Sequence, residues 1–219
     1  FIRLWNNVTG NYEQLQEWDM IEEFDEPLNT FGPKVSVSDC SNYIVASLGT
    51  LAFLRDVRED KVIKSLIPPF VQDRYRNHIQ TIVFSSNGRA VFICCWQSGD
   101  FIIKVWRPYL DDDNDDRLTT LLRQRTDRFG RFCTFSHDKK LVTFYDTNRN
   151  KGTLWSIDMD NNCLIHKSDI PVAESQQLYF TPDDKYIVCK TTNGREFWSI
   201  AENKFSDKMT FVLKYGNTT

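Results

Sequence analysis

The side chains best suited to acid–base chemistry are three histidines. Their positions in the sequence indicate that they do not form a catalytic site. His78 ends a long loop, His137 lies in a hairpin turn and His166 lies in a late strand. Histidine-activated nucleophiles need a third group to orient the base, and no Gly-x-Ser-x-Gly elbow is present to hold a serine. The sequence also lacks a phosphate-binding loop and a glycine-rich dinucleotide fingerprint. We therefore predict that this chain is not an enzyme and binds no cofactor.

Two acidic segments could offer oxygen ligands to a cation, and a solvated turn is the simpler interpretation of both. Residues 111–116 are five aspartates and one asparagine, without the alternating spacing and the glycine of a calcium loop. Residues 158–162 imitate such a loop more closely, but they fall where a hairpin turn is needed, and Asn and Asp are typical turn residues. No Cys-x-x-Cys pair is available for zinc. We predict no metal site.

The charge distribution gives no sign of a nucleic-acid or membrane partner. The net charge is −3, and no apolar run reaches the length of a membrane span. Residues 123–131 are locally basic and could contact phosphate or an acidic partner. We interpret this segment as a loop between repeats.

Six cysteines fall mostly in or beside apolar runs. They are spaced widely, except for the adjacent pair Cys94 and Cys95. Free cysteine behaves as a small buried hydrophobic residue, so we predict unpaired, buried thiols and a reducing, cytoplasmic location. The chain begins on Phe1, inside an apparent strand, and we expect it to be a fragment of something longer.

The elements that must position any site are short strands. Residues 79–106 contain three apolar runs rich in Val, Ile, Phe and Trp, separated by the turns 85–88 and 97–100. Such runs suit a pleated, half-buried surface, and the Asn-Gly and Ser-Gly pairs tolerate a positive φ. This pattern predicts a three-stranded meander, to which a fourth strand would add to make a propeller blade.

The meander repeats along the chain, at intervals of roughly 45–50 residues. Each copy has a hydroxyl residue after its first strand: Ser38, Ser85, Ser136 and Thr181. A second marker in the third strand is tryptophan, at Trp5, Trp106, Trp155 and Trp198; one repeat lacks it, and Arg55 stands near the expected place.

These repeats predict an all-β fold, a β-propeller of four-stranded antiparallel blades. Because a blade cannot bury both faces alone, neighbours must stack until a ring closes. About four and a half blades are visible, so we expect a partial ring whose remaining blades lie in the same longer chain. We place the blades near residues 1–18 (partial), 35–66, 79–122, 132–167 and 178–207.

The phrases IVFSSNGRAVFICCWQSGDFIIKVW, CTFSHDKKLVTFY and FIRLWNNVTG resemble the WD-repeat β-propeller family. The likeness covers nearly the whole chain, but no Gly-His pair precedes a first strand, and the four marker tryptophans are followed by Asn6, Arg107, Ser156 and Ser199 rather than Asp. The resemblance implies an interaction scaffold whose buried hydrogen-bond network is largely absent, so that stability rests on strand packing. Divergent, long-period blades also look like the C-terminal sensor propellers of NACHT- or apoptosome-type signalling ATPases.

Propeller geometry predicts where a partner binds. Loops joining strand two to three, and strand four to the next blade, emerge on one face, and Trp, Tyr and Arg are frequent interface hot spots. Pro68 and Pro69 stiffen the loop that follows them, which lowers the entropy lost on binding. We expect a protein partner, preferably acidic, to contact Phe70, Arg74, Tyr75, Arg76, His78, Trp96, Asp100, Arg149 and Arg195, with Gln97, Asn148 and Asn193 nearby.

Two functions agree with this fold. The first is a non-catalytic protein–protein interaction scaffold or ligand-sensing propeller within a larger protein. The second is the substrate-gating propeller of a prolyl-oligopeptidase-like peptidase whose catalytic domain lies outside this chain. The flanking sequence would distinguish them, because each needs a different neighbouring domain.

Overall fold

A computed structural model describes residues 2–8, 11–18, 33–66, 78–97, 99–108, 118–125, 133–146, 149–172, 177–191 and 194–206. Every regular element in these ranges is a β-strand. The all-β prediction is therefore confirmed. No helix in the described ranges is long and apolar enough to cross a membrane.

The strands form one two-stranded sheet and four four-stranded antiparallel sheets. The two-stranded sheet is β1 (Ile2–Val8) with β2 (Asn11–Trp18). The first full blade contains β3 (Lys34–Val37), β4 (Tyr43–Leu48), β5 (Leu51–Asp56) and β6 (Lys61–Leu66). The second contains β7 (His78–Phe84), β8 (Val91–Gln97), β9 (Asp100–Trp106) and β10 (Leu118–Arg125).

The third and fourth full blades repeat the same order. The third contains β11 (Cys133–Phe135), β12 (Leu141–Asp146), β13 (Lys151–Asp158) and β14 (Cys163–Ile170). The fourth contains β15 (Gln177–Phe180), β16 (Tyr186–Thr191), β17 (Gly194–Ser199) and β18 (Lys204–Phe205). In every blade each strand pairs with the next strand of the chain, as a meander requires.

The blades stack through their first strands, which is propeller geometry. Strands β3, β7, β11 and β15 contact one another in succession. Hydrogen bonds cross each junction: the Phe84 amide donates to Ser36 Oγ at 3.3 Å, Thr81 Oγ1 donates to the Cys133 carbonyl at 3.2 Å, and Thr134 Oγ1 donates to the Leu178 carbonyl at 2.9 Å. The sheets therefore form consecutive blades of a partial propeller.

Three apolar clusters lie at the junctions of successive blades, and they explain the sequence pattern. Strands β8 and β9 are buried along almost their whole length, because both of their faces meet a neighbouring blade. The outer strand β6 alternates exposed and half-buried residues. Continuous apolar runs thus mark the two central strands of the second blade, and alternation marks the outer strand β6 of the first.

The repeated hydroxyl residue closes the turn between the first two strands of each full blade. Its oxygen accepts a backbone N–H five residues later: Tyr43 to Ser38 at 3.1 Å, Ala90 to Ser85 at 3.0 Å, Leu141 to Ser136 at 2.9 Å and Tyr186 to Thr181 at 3.1 Å. The hydroxyl of the last three donates to the side chain two residues on: Asn87 at 2.8 Å, Asp138 at 2.7 Å and Asp183 at 2.6 Å. Cys40 takes this position in the first blade, with its sulfur 3.4 Å from Ser38 Oγ.

Arg55 takes the place of the missing tryptophan in the first full blade. It pairs with Ile44, just as Trp106 pairs with Val91 in the second blade. The buried guanidinium is satisfied within its own hairpin, since it donates to Asp60 Oδ1 at 2.8 Å and to the Asp60 carbonyl at 3.1 Å. Elsewhere in the described blades, the indole N–H groups of Trp155 and Trp198 are buried with no hydrogen-bond acceptor.

The cysteine prediction is wrong for one pair. Cys94 in β8 and Cys133 in β11 form a disulfide across the second and third blades, with Cα atoms 6.6 Å apart. They meet because Cys94 pairs with Thr81 of β7, and Thr81 donates to the Cys133 carbonyl across the junction. Sequence spacing does not reveal this contact. Cys95 and Cys189 are buried free thiols, as predicted, and burial raises the pKa of Cys95 to about 11 and that of Cys189 to about 12.

Candidate functional site

The two ends of the stacked hairpins form two faces. The turns β4–β5, β8–β9, β12–β13 and β16–β17 lie on one face, here called the upper face; the Ile79 amide donates to the Gly49 carbonyl there at 2.7 Å. The hydroxyl-closed turns β3–β4, β7–β8, β11–β12 and β15–β16 lie on the lower face. There, Asp184 Oδ1 accepts the His137 amide of the preceding blade at 2.8 Å. The faces are therefore continuous from blade to blade.

The predicted partner-binding residues divide into three groups. The first group lies outside the described residues: Phe70, Arg74, Tyr75, Arg76, Asn148 and Asn193. The second, His78 and Trp96, is buried, with 4% and 1% of the residue exposed. The third, Gln97, Asp100, Arg149 and Arg195, lies at the β8–β9, β12–β13 and β16–β17 turns of the upper face.

The expected exposure of His78 and Trp96 is corrected by the structure. His78 begins β7 and pairs with Trp96 at the end of β8, so both belong to the sheet rather than to a loop. Trp96 packs edge-on against Phe101 at 5.9 Å, within the cluster between the second and third blades. Burial and then the Lys34 charge lower the pKa of His78. Neither side chain can contact a partner in this arrangement.

Asp100 belongs to a polar network at the upper end of the second blade. Arg123 of β10 lies beside it, with Nε 3.5 Å from Asp100 Oδ2, and donates to Gln97 Oε1 at 3.5 Å. The Arg123 side chain is still 56% exposed. Our interpretation of Arg123 as part of a loop was wrong, because β10 continues to Arg125. The basic segment was the sequence feature that could have indicated a functional arginine here. The pairing of β10 with β9 determines where Arg123 lies.

Asp146 connects the second blade to the third and was not anticipated from sequence. Only 1% of its side chain is exposed. Its Oδ2 accepts Gln124 Nε2 of β10 at 2.5 Å, and its Oδ1 accepts the Arg149 amide at 3.3 Å. Arg149 Nε lies 3.9 Å from Asp146 Oδ2, while 64% of the arginine side chain remains exposed. Asp146 thus contacts both the backbone amide and the side chain of Arg149.

Each of the other two histidines lies within hydrogen-bond distance of a carboxylate. His137 Nδ1 is 3.0 Å from Asp184 Oδ1, on the lower face. His166 Nε2 is 3.0 Å from Asp169 Oδ1 and packs against Trp155, on the third blade. The described ranges contain no group of three His, Cys, Asp or Glu side chains placed to hold a metal ion. The His137–Asp184 contact joins the third blade to the fourth, and the His166–Trp155 contact joins β14 to β13.

Comparison with known proteins shows that this chain shares its fold with β-propeller domains. No family model matches the sequence, and no curated protein is similar to it. Among solved structures, the β-propeller domain of Myceliophteria thermophila Cps50 (Swd1) is 12% identical with a TM-score of 0.52, covering 76% of this chain and 53% of that one. Kuenenia stuttgartiensis hydrazine synthase is 17% identical with a TM-score of 0.48, covering 76% and 43%. The chain thus spans about half the length of these structures.

Proposed function

We propose that this chain is a non-catalytic protein–protein interaction propeller that binds its partner on the upper face. One observation carries the proposal: three successive blades each place an exposed arginine there, Arg123, Arg149 and Arg195. Arginine is over-represented at interface hot spots, since its guanidinium combines contact area with several donors. The structural similarity to a propeller domain supports a role as an interaction scaffold. The identity of the partner has to be found by experiment.

Two of these arginines have positioning neighbours. Arg123 lies on β10, and Arg149 lies beside the buried Asp146. A side chain that is already positioned loses less conformational entropy when a partner binds. We infer an acidic partner surface, because carboxylates match the guanidinium fork. The loop containing Arg74 and Tyr75 stays part of the prediction, outside the described residues.

The experiment compares two matched double variants in partner capture. The Arg149→Ala/Arg195→Ala variant removes two positive charges from the upper face, and Lys140→Ala/Lys185→Ala removes two from the lower face. All four side chains are exposed, and thermal unfolding of each variant confirms that it is folded. We expect the upper-face variant to bind the partner recovered by the wild-type chain at least tenfold more weakly, or about 1.4 kcal/mol. Equal binding by both variants contradicts the proposal.

Three finer assignments stay predictions. A sensor propeller of a NACHT- or apoptosome-type ATPase requires a phosphate loop upstream, and a peptidase-gating propeller requires a hydrolase domain downstream. Recovering the full-length sequence tests both, together with the location of the remaining blades. The cytoplasmic location now rests on four free cysteines, because the other two form the disulfide.

A further inference from the structure

A cavity of about 630 Å³ opens on the lower face, at the opposite end of the blades from the arginines described above. The turns of the first two full blades form most of its wall, and the ends of β9 and β13 complete it. Its volume is within the range of sites that enclose a ligand or several side chains. The lining residues are Ser38, Cys40, Tyr43, Asn87, Gly88, Arg89, Ala90, Arg107 and Met159.

The inner wall of the cavity is apolar. Tyr43 packs against the core cluster between the first and second blades, and Met159 packs against the cluster between the second and third. Ala90 is buried between them. An apolar side chain inserted here would leave water and extend the existing core. Methionine adapts its shape to such a guest because it is unbranched and flexible.

The rim of the cavity is positively charged. Arg89 is exposed at the edge, and Arg58 is close enough to act on Cys40 electrostatically. Arg107 donates to Thr119 Oγ1 at 3.5 Å and to Asn162 Oδ1, and both of these partners are neutral. The charged side chains among the lining residues are Arg89 and Arg107, and both are positive. The lining therefore favours an anionic ligand.

We propose that this cavity docks a segment of a protein partner in which one large apolar side chain is flanked by carboxylates. The apolar side chain would contact Tyr43, Ala90 and Met159, and the carboxylates would pair with Arg89 and Arg107. Charge complementarity at the rim orients the segment, and the apolar wall contributes the burial. This site is additional to the upper-face site and does not depend on it.

Cys40 provides a reporter within the cavity. It is the exposed member of the four free cysteines. The Ser38 hydroxyl, followed by the Asn42 amide, lowers the pKa of its thiol, which favours the reactive thiolate. The probe is a fluorescein-labelled peptide, Gly-Asp-Glu-Leu-Asp-Glu-Gly, with a Ser-centred version and a Lys-flanked version as comparisons. We expect the Leu-centred acidic peptide to bind at least tenfold more tightly than either, and to slow maleimide modification of Cys40.

A matched pair of variants tests the location. Arg89 and Lys185 occupy the same position in their respective hydroxyl-closed turns, four residues after Ser85 and Thr181, and both are exposed. Arg89→Glu should weaken peptide binding at least tenfold, whereas Lys185→Glu, with the same change of charge in the fourth blade, should leave binding unchanged. The upper-face double variant should also leave it unchanged, so this site and the proposed partner site fail separately.

Three results would overturn the assignment. Equal binding of the Leu- and Ser-centred peptides would show that charge alone attracts the peptide and that the apolar wall of the cavity contributes nothing. Equal loss in Arg89→Glu and Lys185→Glu would place the peptide elsewhere. Faster modification of Cys40 without peptide, after the five aspartates of residues 111–116 are replaced by asparagine, would identify the chain's own acidic run as the occupant. Thermal unfolding of each variant confirms that it is folded.

Discussion

The adjacent serines Ser85 and Ser86 offer a sharp test of how the blades are closed. Ser85 is buried, accepts the Ala90 amide at 3.0 Å and donates to Asn87 Oδ1 at 2.8 Å. Ser86 is exposed one position later. Ser85→Ala removes the acceptor of a buried N–H, whereas Ser86→Ala removes the same hydroxyl group from the surface. The two variants therefore have identical composition and differ only in position.

The expected magnitude follows from the hydrogen bonds that are lost. A buried donor left without a partner costs about 1–3 kcal/mol, and Ala90 has 2% of its surface exposed, which leaves its amide little access to water. We expect Ser85→Ala to lower the free energy of unfolding by about 2 kcal/mol and Ser86→Ala to change it by less than about 0.5 kcal/mol. For a chain of this size, 2 kcal/mol corresponds to a Tm shift of roughly 4–8 °C.

Urea unfolding followed by tryptophan fluorescence measures both variants. The slope with denaturant should match wild type, since a single hydroxyl does not alter the surface exposed on unfolding. A similar loss in both serine variants, or no loss in either, would refute the assignment of the repeated hydroxyl to turn closure. Ser136→Ala, in the equivalent turn of the third blade, provides a second measurement of the same bond.

Two further predictions concern a close approach and a buried titratable group. Gly152→Ala should destabilise the protein by about 1–3 kcal/mol, because its Cβ would lie 2.9 Å from Leu178 Cδ1 and 3.1 Å from Ile170 Cβ; combining it with Leu178→Ala should cost less than the sum of the two single changes, and simple additivity would contradict the contact. Because the pKa of His78 is lowered in the folded protein, the unfolded chain binds a proton at this residue more readily than the folded chain does. The wild type should therefore lose stability relative to His78→Gln as the pH falls below about 6.5. Urea unfolding from pH 7.5 to 5.5 tests the second, and parallel curves for wild type and variant would contradict it.

The polar network of the upper face shows why some site residues escaped prediction. Asp146 follows an apolar run and resembles an ordinary turn residue, yet it is buried because Gln124 of the preceding blade covers it. Arg123 lies on the same face because β10 pairs with β9, where Arg123 is opposite Ile102. Gln124 is distant in sequence from Asp146, and Arg123 is distant from Gln97. A local sequence pattern therefore cannot predict either contact.

The strand order, the turn chemistry and the blade repeat are predictable from local sequence, because they depend on neighbours within one hairpin. The hydroxyl at Ser85 and the substitution of Arg55 for tryptophan could both be read from spacing, since each acts on residues fewer than six positions away. The residues that face a neighbouring blade, by contrast, became known from the packing of separate sheets. Stacking buried His78 and Trp96, joined Cys94 to Cys133 and opened the cavity beside Arg89. These outcomes depend on how separate sheets align, and that alignment is set by packing across the whole junction rather than by any local run of residues.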